Sequence, residues 1–411
     1  MPLVLRTLFP RAWARAAGRL GSALVPRPRT ALTALREGPA GPGLCVDEAA
    51  ERVARVLEDV GLVGRVGRLV AVIGHGSTTV NNPHASAYDC GACGGRRGGP
   101  NARLFARLAN DPRVRAALAA RGAALPADAW VVGGAHDTTT DAVTWFDLDL
   151  VPDARRADVD DLAALVERAR ALTAHERCRR FATAPPGLTP AEALAHVEAR
   201  ALDLAEPRPE YNHGTNAVCV VGRRALTRGL FLDRRAFLAS YDASTDPTGE
   251  VLSRLLRAAL PVCAGINLEY YFSTVDNERY GCGTKLPHNV AGLLGVMNGH
   301  QGDLRPGLPW QTVDIHEPVR LLTIVEAAPA TLLEVVRGDA ALAALALGGW
   351  VQVACVDPAS GATHVLGPGG LTPFTPPPGA PPAVPGSSDW TAGRREHLAP
   401  ALVAAGLEGA C

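Results

Sequence analysis

Apolar residues recur at helical spacing over Val46, Ala49, Ala50, Val53, Ala54, Val56, Leu57 and Val60, and the pattern stops at Gly61. One amphipathic helix is predicted there. The pattern then changes to an unbroken apolar run, Leu69-Val70-Ala71-Val72-Ile73, closed by Gly74. A β-branched run bounded by glycines predicts a buried strand. Helices are predicted from Asn101 through Leu108 and from Pro112 to Arg121, the second ended by Gly122. Trp130 to His136 is a second apolar strand, followed by the polar loop Asp137-Thr138-Thr139-Thr140-Asp141. This alternation predicts an α/β core with a parallel, doubly wound sheet. Functional crevices in such sheets lie outside the carboxyl ends of the strands, and His75 follows one of those ends.

Residues 155–205 are rich in Ala, Arg and Glu and read as helical. From Tyr211 the texture changes to α+β: a strand over Ala217–Val221, a helix over Glu250–Leu260, then an aromatic and polar run from Asn267 to Asn277. Gly281-Cys282-Gly283-Thr284-Lys285 presents the chain's only lysine on a loop of small residues, without the full phosphate-loop pattern. Ala340 to Val356 falls short of the roughly 20 apolar residues that span a bilayer. Gly348-Gly349 breaks it, so a buried helix, a turn and a strand are expected. No segment is expected to cross a membrane. Pro and Gly dominate from Gly367 to Ser388, which reads as loop. The expected division is a 1–40 extension, a 41–205 α/β region, a 206–366 α+β region and a 367–411 loop and tail.

Charge is balanced, 41 basic residues against 41 acidic, so no whole-molecule field favours nucleic acid. Nine scattered cysteines, an odd number, give no disulfide framework and point to a reducing compartment. Seven arginines precede the first acid, Glu37. That segment suits an anionic membrane surface, a partner, or a helical extension with a solvated face.

The densest chemistry follows the first strand. Gly74-His75-Gly76-Ser77 leads through Asn81-Asn82-Pro83 to Asp89-Cys90-Gly91-Ala92-Cys93-Gly94-Gly95. Imidazole nitrogen and thiolate sulfur are preferred zinc donors, at about 2.0–2.3 Å. The same residues also suit close structural packing or a redox dithiol, although the glycines argue against the helix N-terminus that lowers a redox cysteine's pKa. Residue types alone leave the three readings open.

Further runs extend the pattern: Asn101-Ala102-Arg103, Thr138 to Asp141, Thr227 to Leu230, Tyr270 to Asn277, Gly283-Thr284-Lys285 with His288-Asn289, Gly302-Asp303-Leu304-Arg305, Gly307 to Gln311, and His316-Glu317-Pro318. Together they resemble the DabA family, the zinc-binding subunit of a two-component inorganic carbon (CO2/bicarbonate) uptake pump. The resemblance implies a site and a sheet like those of β-carbonic anhydrases, Zn2+ as cofactor, and CO2 hydration coupled to an ion gradient. It also implies a DabB-like integral membrane partner and a peripheral position on the cytoplasmic side of the inner membrane. His75 and Cys90 match two of the family's four zinc ligands. Cys93 does not match a ligand, and roles for His136, Asp141 and Lys285 stay unassigned. The other two ligands belong to an upstream Cys-x-Asp-x-Arg motif, which Cys45-Val46-Asp47 imitates without its arginine. Because family members are about twice this length, the chain is expected to be the C-terminal half of a split or truncated subunit. Such a half is not expected to be active alone. The alternative is a non-catalytic half that completes its site with a separate chain carrying that motif, or a non-functional fragment.

Overall fold

The computed structural model describes residues 30–38, 41–78, 89–90, 93–203, 215–284 and 307–404, with short pieces between 4 and 20. The expectations for the 81–83 run, Lys285, His288-Asn289 and the 302–305 run lie outside the described residues. The first layer is α1 (Val46–Asp59), β1 (Leu69–Gly76), α2 (Gly99–Asn110), α3 (Pro112–Ala120), β2 (Trp130–Asp137) and β3 (Val143–Trp145). The long helices α4 (Asp153–Cys178) and α5 (Pro190–Ala201) follow. The second layer contains β4 (Val218–Gly222), β5 (Leu230–Phe231), β6 (Ala236–Ser240), α6 (Glu250–Val275), β7 (Leu322–Glu326), α7 (Pro329–Arg337) and α8 (Ala340–Ala346). The last elements are β8 (Gln352–Val356), β9 (Thr363–Gly367), β10 (Gly370–Phe374), β11 (Ala383–Val384) and β12 (Ala401–Val403).

The molecule is α/β, but its sheets are mixed rather than one parallel, doubly wound sheet. β1 and β2 are parallel and β3 adds antiparallel to β2, giving a three-stranded sheet. A six-stranded sheet runs β10-β9-β8-β7-β4-β6: its four parallel strands are β6, β4, β7 and β8, and the β9–β10 hairpin closes one edge antiparallel. The departure has a local cause. β2 turns back tightly through Asp141 at φ 56°, and β8 through Gly361 at φ 72°, so each next strand must run antiparallel.

Each layer buries its own core. Val53, Leu57, Val114, Leu118 and Val131 pack together between α1, α2, α3 and the β1–β2 pair. Leu252, Leu256, Leu260, Leu321, Val325, Leu332 and Cys355 fill the space between α6, α7, α8 and the six-stranded sheet. Glycines let α2 lie close on the first sheet: a Cβ at Gly133 would stand 2.9 Å from the Ala102 carbonyl oxygen, and one at Gly74 would stand 2.2 Å from Gly98.

Helix α6 runs past the expected end at Leu260, straight through Pro261. Asn267 pins its far half, donating to the carbonyls of Asn216 (2.7 Å) and Val319 (2.9 Å) and accepting from the Leu321 N–H (2.9 Å). By length and composition α6 could cross a membrane, the one such helix among the described residues, yet its Leu252–Leu256–Leu260 face is in the core. The stretch read as loop from Gly367 begins with β10, which joins the main sheet.

Candidate metal centre

β1 and β2 are in register from Leu69 opposite Trp130 to His75 opposite His136 and Gly76 opposite Asp137. Both histidines therefore lie on one face at the carboxyl ends of the parallel pair. The loops beyond are tied together by short polar side chains. The Ser77 hydroxyl meets that of Thr139 at 2.7 Å, the Thr78 hydroxyl donates to Asp137 at 2.6 Å, and the Thr138 N–H donates to the Gly76 carbonyl at 2.8 Å. The Thr-rich loop thus builds the floor beneath the strand ends.

The cysteine segment is fastened to the same place. Asp89 accepts the Ser77 N–H at 2.8 Å, which sets Cys90 beside the end of β1. Cys90 N–H donates to the Arg96 carbonyl at 3.0 Å, and the Cys90 carbonyl receives the N–H groups of Cys93 (3.0 Å) and Gly95 (3.1 Å). Gly94 and Gly95 supply the positive φ, 67° and 73°, that this turn needs. The turn returns to β1, where the Gly98 N–H donates to the His75 carbonyl at 2.7 Å.

Neither ring nitrogen of the half-buried His75 has a hydrogen-bond partner among the described residues, so both are open to a ligand. Burial first, then the neighbouring His136, lowers its pKa below the ordinary histidine value, against the opposing pull of Asp89. The neutral imidazole that binds metals is therefore favoured. Cys90 is a buried free thiol. These two donors fit zinc in type. Among the described residues no group of three or more His, Cys, Asp or Glu side chains could hold a metal ion, so the pair by itself falls short of zinc's four.

Cys93 plays another part. Its sulfur accepts from the Asn101 amide at 3.3 Å. The neighbouring Cys90 thiol, then burial, raises the Cys93 pKa, opposite to the activation a redox nucleophile requires. Cys45 caps a helix: its sulfur accepts the Glu48 N–H at 3.4 Å and starts α1, while Asp47 reaches Arg121 at 3.3 Å.

The structure gives partners to two residues that the sequence left unassigned, and adds Arg177, which it did not mark. His136 bonds Asp141 at 2.8 Å, and Asp141 pairs with Arg177, 1% exposed, at 2.8 Å. Arg177 lies in α4 among many arginines and glutamates, where nothing in the sequence separates a buried cation from a solvated one. Asp89 was visible only as a neighbour of Cys90.

The family model described as "Probable inorganic carbon transporter subunit DabA" matches residues 1–351. The chain is 54% identical to the probable inorganic carbon transporter subunit DabA 2 of Sorangium cellulosum over 98% of its own length and 40% of that protein. It is 52% identical to the Parafrankia sp. counterpart over 90% of its length and 34% of that protein. Against the Methylococcus capsulatus counterpart it is 48% identical, over 98% of its length and 38% of that protein. The chain thus spans about two-fifths of the length of these relatives. No solved structure matches.

Proposed function

This chain belongs to the family of probable inorganic carbon transporter subunits DabA, and we propose that it forms part of a CO2/bicarbonate uptake subunit in which it holds one half of a zinc site. One observation carries the reading. An unpartnered, neutral-leaning imidazole stands at the carboxyl end of a parallel strand, and a buried thiol follows on the segment that Asp89 ties to that end. His75 would supply one donor and Cys90 the other, as thiolate. Zinc held there would supply the Lewis acidity that brings the pKa of water to about 7, the chemistry of CO2 hydration in sites like those of β-carbonic anhydrases.

The rest of the site acts through this chain's own groups. Asp89 accepts the Ser77 N–H at 2.8 Å and lies 3.9 Å from Arg97, so it holds the Cys90 turn. The hydroxyl-lined floor fixes the two loop ends relative to each other. Two donors do not complete a zinc site, which favours a chain that becomes active only with the remaining donors from elsewhere in a longer assembly. The partners proposed are an integral membrane subunit of the DabB kind and the polypeptide carrying those donors. The position proposed is the cytoplasmic side of the inner membrane.

The test is metal content and uptake measured together in the complete assembly. His75→Ala and Cys90→Ala should each abolish bound zinc and bicarbonate uptake in parallel, whereas Cys93→Ser should leave zinc in place. Zinc remaining near one per complex in either alanine variant removes the ligand assignment.

A further inference from the structure

We propose that the cavity between the end of α4, the 185–188 turn and residues 388–395 binds a small organic phosphate, a phosphate monoester on a short carbon chain. It shares no residue with the strand-end site, and the inference does not rest on the zinc reading.

Three short pieces of chain make the walls. α4 ends at Cys178, and Arg179 caps it. Pro185-Pro186-Gly187 then turns the chain towards α5, with Gly187 at φ 74°. Residues 388–395 close the third side. The Arg395 guanidinium fixes them there by donating to the carbonyls of Phe181 (2.8 Å) and Ala184 (2.6 Å). The side chains of the proline and glycine turn are short, and a cavity of about 320 Å3 is left. That size stands at the lower end of ligand pockets, which hold about 300–1,000 Å3. A metabolite of a few carbon atoms suits it better than a single inorganic anion.

The charge of the walls selects an anion. Arg179, Arg394, Arg395 and His175 line the cavity, and no Asp or Glu does so among the described residues. Arg179 is offset by Asp233. Arg394 and Arg395 form no ion pair among the described residues. Arg394 lies with its guanidinium carbon 4.3 Å from the centre of the Trp390 ring, a stacking contact that uses none of its N–H donors. Arg395 directs two donors to neutral carbonyls, so its charge stays uncompensated. Glu396 accepts the Arg395 backbone N–H at 3.1 Å but does not line the cavity. The carboxyl end of α4 opposes the arginines with about half a negative charge, which two full cations outweigh.

Two uncompensated charges match a phosphate monoester, which carries about −1.5 to −2 near neutral pH. They come from consecutive residues on one wall. That favours an anion with both charges on one group over a dicarboxylate with one at each end. Guanidinium forks also fit phosphate oxygens, and the Ser388 hydroxyl adds a donor on the same wall. Pro185, Pro186 and Leu188 offer an apolar surface to the carbon chain. Cys178 extends it as a neutral thiol, its pKa pushed up to about 11 by burial.

Calorimetric titration of this full chain with glycerol 3-phosphate tests the assignment, with succinate, inorganic phosphate and glycerol as parallel probes. Glycerol 3-phosphate should bind once per chain, about tenfold or more tighter than succinate or inorganic phosphate, and glycerol should not bind. Arg394→Ala removes an exposed charge that forms no ion pair, and should weaken binding by about tenfold or more. Ala392→Trp places a large ring on the cavity wall and should abolish it. In the wild-type chain, saturating glycerol 3-phosphate should slow amide hydrogen exchange across residues 391–395 by several-fold. That comparison decides the matter if either variant fails to fold. Absence of saturable binding at millimolar concentrations overturns the proposal. So does binding that both variants leave unchanged, or a saturated chain with 391–395 unprotected, because the phosphate then sits elsewhere. Succinate binding as tightly as glycerol 3-phosphate overturns the choice of a phosphate group, and inorganic phosphate doing so overturns the part given to the carbon chain.

Discussion

Asp141 shows how much of this site is decided by single side chains that no motif announces. Its backbone adopts φ 56°, a left-handed value that Asp tolerates better than most residues, and this places its carboxylate between His136 and the buried Arg177. Burial alone would raise its pKa, but the hydrogen bond from His136 and the Arg177 charge outweigh it, and the carboxyl titrates below its ordinary value. The sign follows from linkage: a depressed folded pKa stabilises fully above the unfolded value near 3.9, and that contribution is lost as pH falls through the folded value. Asp141→Asn should keep the turn yet leave Arg177 uncompensated, costing on the order of 3 kcal/mol at neutral pH. Urea unfolding at a series of pH values checks it: the variant should be less stable at pH 7 and show a shallower loss below about pH 4. Equal loss at every pH would mean that the pair is not the source. The sequence marked His75 and Cys90 because glycines and a preceding strand framed them. It could not assign His136 or Asp141, since a His at a strand end reads alike whether it binds metal, carboxylate or nothing.

Elements were most legible where one period held over several turns. The α1 pattern ending at Gly61, and the β1 and β2 runs, stand in the structure close to their expected bounds, because amphipathic spacing and β-branched runs each admit one economical packing. The errors came from tertiary override. Pro261 reads as a helix terminator, but α6 continues because its far half is held by the Asn267 amide and by burial. β10 sits in a Pro/Gly-rich stretch and survives as an edge strand, with Pro373 inside it, where a missing donor matters least. The mixed sheet was not legible, since strand direction after β2 and β8 depends on turns of a few residues. The close contact of α2 with the first sheet gives a prediction at this scale. Gly74→Ala would thrust a methyl into the Gly98 backbone, with no flexible side chain to give way. A loss of about 1–3 kcal/mol is expected, typical of overpacking. Thermal melts should show it, and zinc binding in the assembled protein should weaken as well, because Gly98 anchors the His75 carbonyl at 2.7 Å.

Among the described residues, the two layers and the 395–403 segment are joined by ion pairs and hydrogen bonds rather than by one continuous core. Arg254 of α6 reaches Asp59 of α1 at 2.6 Å, and Arg65 reaches Asp242 at 3.0 Å. These pairs are partly exposed and each contributes at most about 1 kcal/mol. The anchor of the C-terminal segment is of a different kind. Asp233, 2% exposed and at φ 50°, accepts the Leu398 N–H at 2.8 Å and pairs with Arg179, the residue that ends α4, and with His397. Arg395 adds bonds to the carbonyls of Phe181 (2.8 Å) and Ala184 (2.6 Å), and β12 pairs with β5. Residues 395–403 are thereby stitched to the end of α4, whose Arg177 reaches the strand-end histidine through Asp141. Asp233→Ala leaves Arg179 buried without its carboxylate, and a loss of roughly 3–5 kcal/mol is expected. If the stitch makes the molecule one cooperative unit, this variant should melt in a single transition at lower temperature, with the 395–403 segment no more open to protease than the rest just below the midpoint. Early cleavage confined to that segment, with the main transition unmoved, would show instead that the tail folds onto a body already complete without it.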